Sequence, residues 1–180
     1  MGPLTVEIMN QALQALEKKL EALSHQPVRL IIGGGGAMIL AHQFPLATAD
    51  IDGVPTGITI AELDPLVKEI SQEQGLPPDW LNPYFSTFVH TLPSDYGKRL
   101  ISVFKKPHLE VLALGREEML IMKCFAHRRK DVGHARALLR AGADFEFVES
   151  RIEELQKKGI PGARAALDFL EEMQELEGDL

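Results

Sequence analysis

Residues 31–52 read IIGGGGAMILAHQFPLATADID, and this stretch decides the fold. The apolar run Val28–Ile32, interrupted only by Arg29, has the length of one buried strand. Four consecutive glycines at 33–36 then allow a sharp backbone turn. Ala37–Leu40 resumes as an apolar helical turn, whose first amide groups can receive an anion. The sequence therefore predicts a strand, a glycine turn and a short helix.

Two carboxylates close this stretch, Asp50 and Asp52, on what we predict to be a second strand. Residues two apart on a strand point to one face, with their Cα atoms roughly 6.6 Å apart. Acidic side chains hold the divalent metals that bridge a triphosphate and activate an attacking hydroxyl. Two acids beside a phosphate-sized glycine turn therefore predict a metal-assisted nucleotide site. When these two residues are considered by themselves, the alternative of a solvated turn or a helix-capping pair stays open.

Apolar periodicity and turn residues place the other elements. Helices are predicted at Thr5–Leu23, Thr59–Gln74, Gly115–His127, Asp131–Leu139, Phe145–Lys158 and Ala163–Leu176. Two further strands are predicted at Leu100–Phe104 and Leu109–Leu114, with a turn-rich break at 53–57 and a loop or single turn at 79–83. This order predicts an α/β (α+β) fold with a small mixed sheet flanked by helices and a C-terminal helical appendage. We predict one domain at 1–142 and a helical extension at 143–180.

The net charge of −7 is unevenly distributed over the 180 residues. Residues 1–142 contain fifteen acids and fifteen bases, whereas residues 143–180 contain eleven acids and four bases. Residues 98–140 reverse the balance, with eleven bases and four acids. An acidic protein is a poor general DNA binder, but a local basic segment can attract a nucleoside triphosphate or a tRNA end.

The single cysteine, Cys124, excludes an internal disulfide and favours a cytoplasmic setting. The first residues lack the charged and apolar regions of a signal peptide. Apolar runs of transmembrane length are also missing, so we expect no membrane partner. Cys124 itself is expected to be a small buried apolar residue rather than a nucleophile.

Two charged residues further along the chain have two interpretations each. Glu110, the only acid inside the strand at 109–114, is either a third metal ligand or an exposed edge-strand residue. Lys123 lies in an apolar helix, where its amine either reaches a triphosphate or extends to solvent. Asp131 is expected to cap the helix that it begins. Trp80, the only tryptophan, is expected to anchor the core or a lid rather than to stack on a base.

Four segments together resemble the minimal nucleotidyltransferases of the polymerase-beta superfamily, and particularly the bacterial AbiEii-like and DUF6036 groups. The first is the glycine turn with Thr48 and the Asp-Ile-Asp of residues 50–52. The others are Leu76–Asn82, similar to a Trp-Leu-Asn loop, Leu109–Leu112 in the place of a third acidic strand, and Met122–Asp131, similar to a helix end with Met-Lys and Arg-x-Lys-Asp.

The resemblance implies a mixed sheet flanked by helices, Mg²⁺ (or Mn²⁺) and a nucleoside triphosphate donor. It implies that Asp50, Asp52 and Glu110 are catalytic metal ligands. It implies nucleotide contacts from Gly34, Gly35, Gly36, Thr48, Lys123 and Arg128. The implied acceptor is a hydroxyl of RNA, such as tRNA, or of a protein. The resemblance also suggests that the protein is a toxin–antitoxin component.

The sequence departs from the family pattern at Leu46, where arginine is usual, at Gly53, where an apolar residue is usual, and at Glu110, where aspartate is usual. The alternative is therefore a catalytically degenerate module of the same fold that binds a protein partner. Its surface would be the C-terminal helices, which carry an amphipathic stripe able to pack on the core or on a second copy in a homodimer. The stripe comprises Val148, Ile152, Leu155, Leu167, Leu170 and Met173. A dinucleotide-binding fold is disfavoured because the glycine spacing does not match it.

Overall fold

The structure, a computed structural model, describes residues 2–44, 47–82 and 89–178. Within these ranges the chain forms seven α-helices and a five-stranded mixed sheet, which confirms the predicted fold class. The helices are α1 (Val6–Ala22), α2 (Gly34–Leu40), α3 (Ile60–Gln74), α4 (Arg116–Ala126), α5 (Asp131–Arg140), α6 (Phe145–Lys157) and α7 (Ala163–Gly178). The strands are β1 (Val28–Ile32), β2 (Ile51–Thr56), β3 (Leu81–Asn82), β4 (Ile101–Lys105) and β5 (Leu109–Ala113). Leu46, and Pro83 of the predicted loop, lie outside the described residues.

Two compact units make up the chain. The first contains Met1–Ser86 and Leu100–Leu114, and the second contains Thr87–Arg99 and Gly115–Leu180. The sheet with α1, α2 and α3 belongs to the first unit, and α4 to α7 belong to the second. The domain boundary predicted from the sequence, between residues 142 and 143, stays a prediction.

The sheet of the first unit has strand order β3-β2-β1-β5-β4. β1 pairs antiparallel with β2 and parallel with β5, so it lies at the centre of the sheet. Side chains alternate between the two faces of a strand, and Val28, Leu30 and Ile32 are accordingly buried on one face of β1. Arg29 lies on the other face and pairs in register with Glu110 of β5.

The turn-rich break predicted at 53–57 is wrong for most of its length, because β2 continues through Gly53 to Thr56. Proline lacks an amide donor and is tolerated in a sheet where no strand lies beside it. β3 pairs only with Ile51 and Asp52 of β2, so Pro55 lies beyond the end of that pairing. Local composition indicates a turn here, whereas pairing of β2 with the buried β1 makes it a strand.

Trp80 is completely buried and fixes α3 against the β3 end of the sheet. Its indole N–H donates to the carbonyl oxygen of Val67 at 3.0 Å. Ser71 donates from its hydroxyl to the carbonyl of Leu76 at 2.7 Å, which ties the end of α3 to the chain leading to β3. The expectation that Trp80 anchors the core rather than stacking on a base is confirmed.

The second unit is built around α4, which contacts α5, α6 and α7. The apolar stripe predicted for the C-terminal helices is buried inside this unit, at Val148, Ile152, Leu155, Leu167, Leu170 and Met173. The stripe therefore packs on the unit's own core, which was one of its two predicted uses. No helix within the described ranges combines the length and the apolar character needed to cross a bilayer.

Replacing the tryptophan tests the link between α3 and β3. Trp80→Phe removes the indole donor, leaves the Val67 carbonyl without that partner and opens space in the core. We expect the free energy of unfolding to fall by about 2–3 kcal/mol, measured by urea unfolding followed by circular dichroism. Val6→Ala, at an exposed position of α1, should change stability little. Equal effects of the two substitutions would contradict the role assigned to Trp80.

Candidate functional site

The glycine run forms the first turn of α2 rather than a separate turn before it. Gly33 is the N-cap residue and donates its N–H to the carbonyl of Asp52 at 2.9 Å. Gly34 has a φ of 59°, in the left-handed region that favours glycine. The amides of Gly34, Gly35 and Gly36 are the first of a helix, and such amides have no partner within the helix.

Each of these three glycines faces a residue of β2 or of the segment that leads into it. A Cβ atom on Gly34 would come within 2.0 Å of Asp52 Oδ2, and one on Gly35 within 2.4 Å of Thr48 Oγ1. A Cβ on Gly36 would lie 3.4 Å from the Cα of Ile51. The first two positions cannot accept a side chain without displacing Asp52 or Thr48.

Thr48 is held in place by the N-terminal segment. Leu4 is buried and forms an antiparallel bridge with Thr48. The Leu4 N–H donates to the Thr48 carbonyl at 2.7 Å, and the Thr48 N–H donates back at 3.2 Å. The predicted site residues Gly34, Gly35, Thr48 and Asp52 are thus brought together in the first unit.

Asp50 and Asp52 lie two residues apart, and Asp52 is in register with Asn82 on the parallel strand β3. The Asn82 side-chain amide donates to Asp50 Oδ2 at 3.4 Å. Asp52 and Asn82 therefore share one face of the sheet, and the hydrogen bond joins Asp50, the residue before β2, to them. All three side chains are partly exposed to solvent. Asn82 was not among the predicted site residues, because a two-residue strand gives no periodic signal.

The donors at this position are carboxylate oxygens with an amide beside them. Magnesium prefers such hard oxygen ligands and is commonly held by one or two carboxylates together with substrate phosphates. Asp50 and Asp52 fit this requirement by their chemistry. Among the described residues, no group of three or more His, Cys, Asp or Glu side chains could hold a metal ion.

The structure does not bring Glu110 to Asp50 and Asp52. Glu110 pairs with Arg29, near the start of β1, whereas Asp52 pairs with Gly33, just after its end. Four residues of strand separate these two levels by about 13 Å, and the two strand spacings between β2 and β5 add about 10 Å across the sheet. Glu110 therefore lies on the same face as Asp52 but at the opposite end of the sheet, so the predicted three-acid metal site is not formed.

Glu110 is instead the centre of an ion-pair cluster. Arg29 donates to one of its carboxylate oxygens at 2.9 Å, and Lys105 lies 3.4 Å from the other. The hydrogen bond from Arg29, assisted by Lys105, holds the pKa of the Glu110 carboxyl below its ordinary value. The alternative interpretation, an exposed residue on an edge strand, is also wrong, because β5 lies between β1 and β4 and the Glu110 side chain is only 22% exposed.

Lys123 and Arg128 lie in the second unit, where both bind Asp131. The Lys123 amine is buried and donates to Asp131 Oδ1 at 2.8 Å, while Arg128 Nε donates to Oδ2 at 2.7 Å. Burial alone would raise the pKa of Asp131, but hydrogen bonds from His134, Arg128 and Lys123 outweigh it and lower the pKa.

The expectation that Asp131 caps α5 is wrong. The N-cap residue is Lys130, and the Asp131 carboxylate is completely buried as the acceptor for Lys123 and Arg128. Cys124 on α4 is buried, and burial raises the pKa of its thiol. It is therefore the inert apolar residue expected.

The family model of DUF6036, described as a nucleotidyltransferase of unknown function, matches residues 11–177. This range covers nearly the whole chain, so the protein belongs to this family of nucleotidyltransferases. The DUF6036 part of the predicted resemblance is confirmed, whereas its polymerase-beta superfamily and AbiEii-like parts stay predictions. Comparisons with curated proteins and with solved structures gave no match.

Two glycines with left-handed φ angles test the close approach of Asp52. Gly34 (φ 59°) would place a Cβ against Asp52, whereas Gly75 (φ 65°), the C-cap of α3, has open space around it. Both alanine variants incur the left-handed strain of about 1–2 kcal/mol. We expect Gly34→Ala to cost a further 1–3 kcal/mol, roughly the range for overpacking, in urea unfolding followed by Trp80 fluorescence. Equal losses would show that Asp52 moves aside freely.

The buried ion pair predicts a pH-dependent loss of stability. Asp131→Asn leaves the Lys123 charge buried without its partner and should cost about 3–5 kcal/mol. Arg128→Ala, which removes a half-exposed partner, should cost about 1 kcal/mol or less. Because the folded-state pKa of Asp131 is lowered, its contribution is present above about pH 4 and lost as the pH falls through the folded-state value. The difference between wild type and Asp131→Asn in urea unfolding should therefore shrink below about pH 4, and a constant difference would contradict this assignment.

Proposed function

We propose that this protein is a metal-dependent nucleotidyltransferase that moves a nucleotide from a nucleoside triphosphate to a hydroxyl of RNA or of a protein. The observation that carries the proposal is the pair Asp50 and Asp52 in a chain of a nucleotidyltransferase family: Asp52 lies against Gly34, and Asp50 is hydrogen-bonded to Asn82, the register partner of Asp52. Fold alone does not define a reaction, and the local chemistry of this pair is what supports nucleotidyl transfer.

Asp50 and Asp52 are the residues proposed to hold Mg²⁺ (or Mn²⁺), which would supply positive charge for the triphosphate and Lewis acidity for the attacking hydroxyl. Asn82 orients Asp50 through its side-chain amide. Gly34, Gly35 and Gly36 carry no side chains of their own, and their backbone amides at the start of α2 are the proposed contacts for phosphate oxygens. Thr48 offers a hydroxyl at the same turn.

This proposal includes the predicted role of Lys123 and Arg128, which is to neutralise the charge of the triphosphate. Within the second unit both cations already bind the Asp131 carboxylate. Lys123 is almost fully buried, whereas the Arg128 side chain is about half exposed. Arg128 is therefore the better placed of the two for an additional contact with an anion.

The second candidate function is a catalytically degenerate module of the same fold that binds a protein partner. The observation in its favour is the position of Glu110, which leaves two carboxylates rather than three at the glycine turn. The surface proposed for a partner or a second copy is the outer, acidic side of α6 and α7, since their apolar stripe is buried. Both proposals include a role in a toxin–antitoxin system. Both also include a cytoplasmic location, where triphosphates and Mg²⁺ are abundant.

Calorimetry with ATP, GTP, CTP and UTP, each with and without Mg²⁺, tests the first proposal. We expect wild type to bind at least one triphosphate only with Mg²⁺. Binding should be weakened at least about tenfold, or 1.4 kcal/mol, in Asp50→Asn/Asp52→Asn, because the metal loses both charged ligands. Glu110→Gln is the matched control, since it also removes a carboxylate from the same sheet face and should bind as wild type does.

The outcomes separate the two candidate functions. Loss of binding in Glu110→Gln as well would show that the site assignment is wrong. A folded wild-type protein that binds none of the four triphosphates would favour the degenerate module. Where binding is confirmed, transfer of a labelled nucleotide to RNA or to protein identifies the class of acceptor.

A further inference from the structure

One side of the sheet in the first unit is open to solvent. Side chains alternate between the two faces of a strand, and the buried face of β1 carries Val28, Leu30 and Ile32. The other face, which we call the open face, is defined by residues that the strand register places side by side, all at least partly exposed. On β1, β2 and β5 they are Arg29, Ile31, Val54, Thr56, Glu110 and Leu112.

The open face has charges of opposite sign at its two ends. Asp52 lies at one end, in register with Asn82 of β3. At the other end Arg29 is in register with Glu110, which is itself in register with Lys105 of the outer strand β4. The carboxylates proposed to hold a metal ion and a group of cations therefore share one side of the sheet.

The end that carries the cations is net positive. Arg29 and Lys105 share the Glu110 carboxylate at 2.9 and 3.4 Å, and their side chains are 57% and 75% exposed. Together with Lys106, these residues line a recess of about 430 Å³, which we call the basic recess. Its lining has three cations and one carboxylate, in a protein whose net charge is −7. The basic recess is therefore opposite in charge to the protein as a whole and complementary to an anion.

We propose that the open face binds single-stranded RNA, with its phosphates at the basic recess and its terminal hydroxyl at Asp52. This inference rests on the proposed function and selects RNA rather than protein as the class of acceptor. Phosphate contacts supply much of the affinity of proteins for nucleic acids. A strand held by its phosphates at the cations can extend along the same side of the sheet to the carboxylates.

The dimensions of the open face fit a short strand. Asp52 and Thr56 are four residues apart on β2, or about 13 Å, and the three strand spacings from β2 to β4 add about 14 Å across the sheet. The diagonal from Asp52 to Lys105 is therefore about 19 Å. A stacked strand of nucleic acid rises about 3.4 Å per nucleotide, so about six nucleotides connect the two ends. Single-stranded nucleic acids commonly occupy sites of about 4–16 nucleotides on one small domain.

The side chains between the two ends suit ribonucleotides. Ile31, Val54 and Leu112 form an aliphatic row across the three central strands, on which the flat faces of bases can lie. Thr56 and Ser102 are exposed hydroxyl residues at the margin of this row. Their hydroxyls can pair with the 2′-hydroxyl of ribose, which is both a donor and an acceptor.

The test compares two exposed lysines on opposite sides of the sheet. Lys105 pairs with Glu110 on the open face, whereas Lys68 of α3 pairs with Asp64 and is 57% exposed. Lys68 lines a groove with Gly53 and Leu81, which belong to the buried face. Lys105→Ala and Lys68→Ala therefore change the net charge equally and differ in the face that they affect.

The probe is fluorescein-labelled decauridylate, followed by anisotropy over a range of salt concentrations, with labelled decaglutamate as the acidic peptide for comparison. We expect wild type to bind decauridylate with a slope of log affinity against log salt near −2, as for three contacted phosphates. Lys105→Ala should make the slope shallower by about 0.7, which is about fivefold weaker binding at 0.1 M salt. Lys68→Ala should bind as wild type does.

Glu110→Gln gives a change of opposite sign. It removes the one negative charge of the basic recess, so decauridylate should bind more tightly than to wild type. Decaglutamate should bind at least about tenfold more weakly than decauridylate. Mg²⁺-dependent binding of triphosphates should be unchanged in Lys105→Ala, because the 19 Å to Asp52 is about twice the Debye length at physiological salt.

Four results would overturn the inference: no binding of decauridylate, equal weakening in Lys105→Ala and Lys68→Ala, no gain in Glu110→Gln, or decaglutamate binding as tight as that of RNA. The proposed function fails separately. Triphosphate binding without RNA binding leaves the nucleotidyltransferase with a protein acceptor. RNA binding that follows the basic recess, in a protein that binds no triphosphate, leaves the RNA surface correct and the carboxylate site wrong.

Discussion

The carboxylate of Asp52 lies against a backbone that has no side chain, at Gly34, and the first unit is arranged to keep it there. β1 pairs with β2 so that Gly33 donates to the Asp52 carbonyl, and Leu4 holds Thr48 against Gly35. Gly34 and Gly35 thus accept neighbours at distances that a Cβ atom would not allow, at 2.0 Å from Asp52 Oδ2 and 2.4 Å from Thr48 Oγ1. The contact puts a negative side chain beside the first amides of a helix, where negative charge is favoured. An acid at this point is stabilised by the fold whether or not a metal ion is present.

The sequence predicts those features of the site that depend on spacing within one short stretch. The glycine run and the two aspartates lie within twenty residues, so strand geometry alone puts the carboxylates on one face. The place of Glu110 depends on the register between β1 and β5, across 81 residues of chain. Local pattern identifies the strand of Glu110 and not the end of the sheet at which it lies. The place of Asn82 in the site could not be predicted for a related reason. β3 has only two residues and takes its conformation from its pairing with β2.

The second unit shows how a partner across space overrides a local rule. An aspartate at the start of a helix predicts an N-cap, yet the Asp131 carboxylate accepts from Lys123 on α4, eight residues earlier. Removing one member of a buried pair leaves an uncompensated charge, so such pairs restrict how the helices can pack. A lysine in an apolar helix was compatible with reaching a phosphate or solvent. Lys123 instead neutralises the internal acid Asp131. This role could be predicted only by knowing which helix packs beside α4.

The first unit is discontinuous in sequence, and this has a consequence for synthesis on the ribosome. Strand β1 gains its parallel neighbour β5 only when residues 109–113 have emerged, after the segment 87–99 that belongs to the other unit. Domains in general fold as they leave the ribosome, N-terminal part first. Here the nascent chain must hold an incomplete sheet, with one edge of β1 unpaired, while about eighty residues are made. Such an edge invites pairing with other chains, so the order of the strands along the chain sets how long the nascent protein is exposed to that pairing.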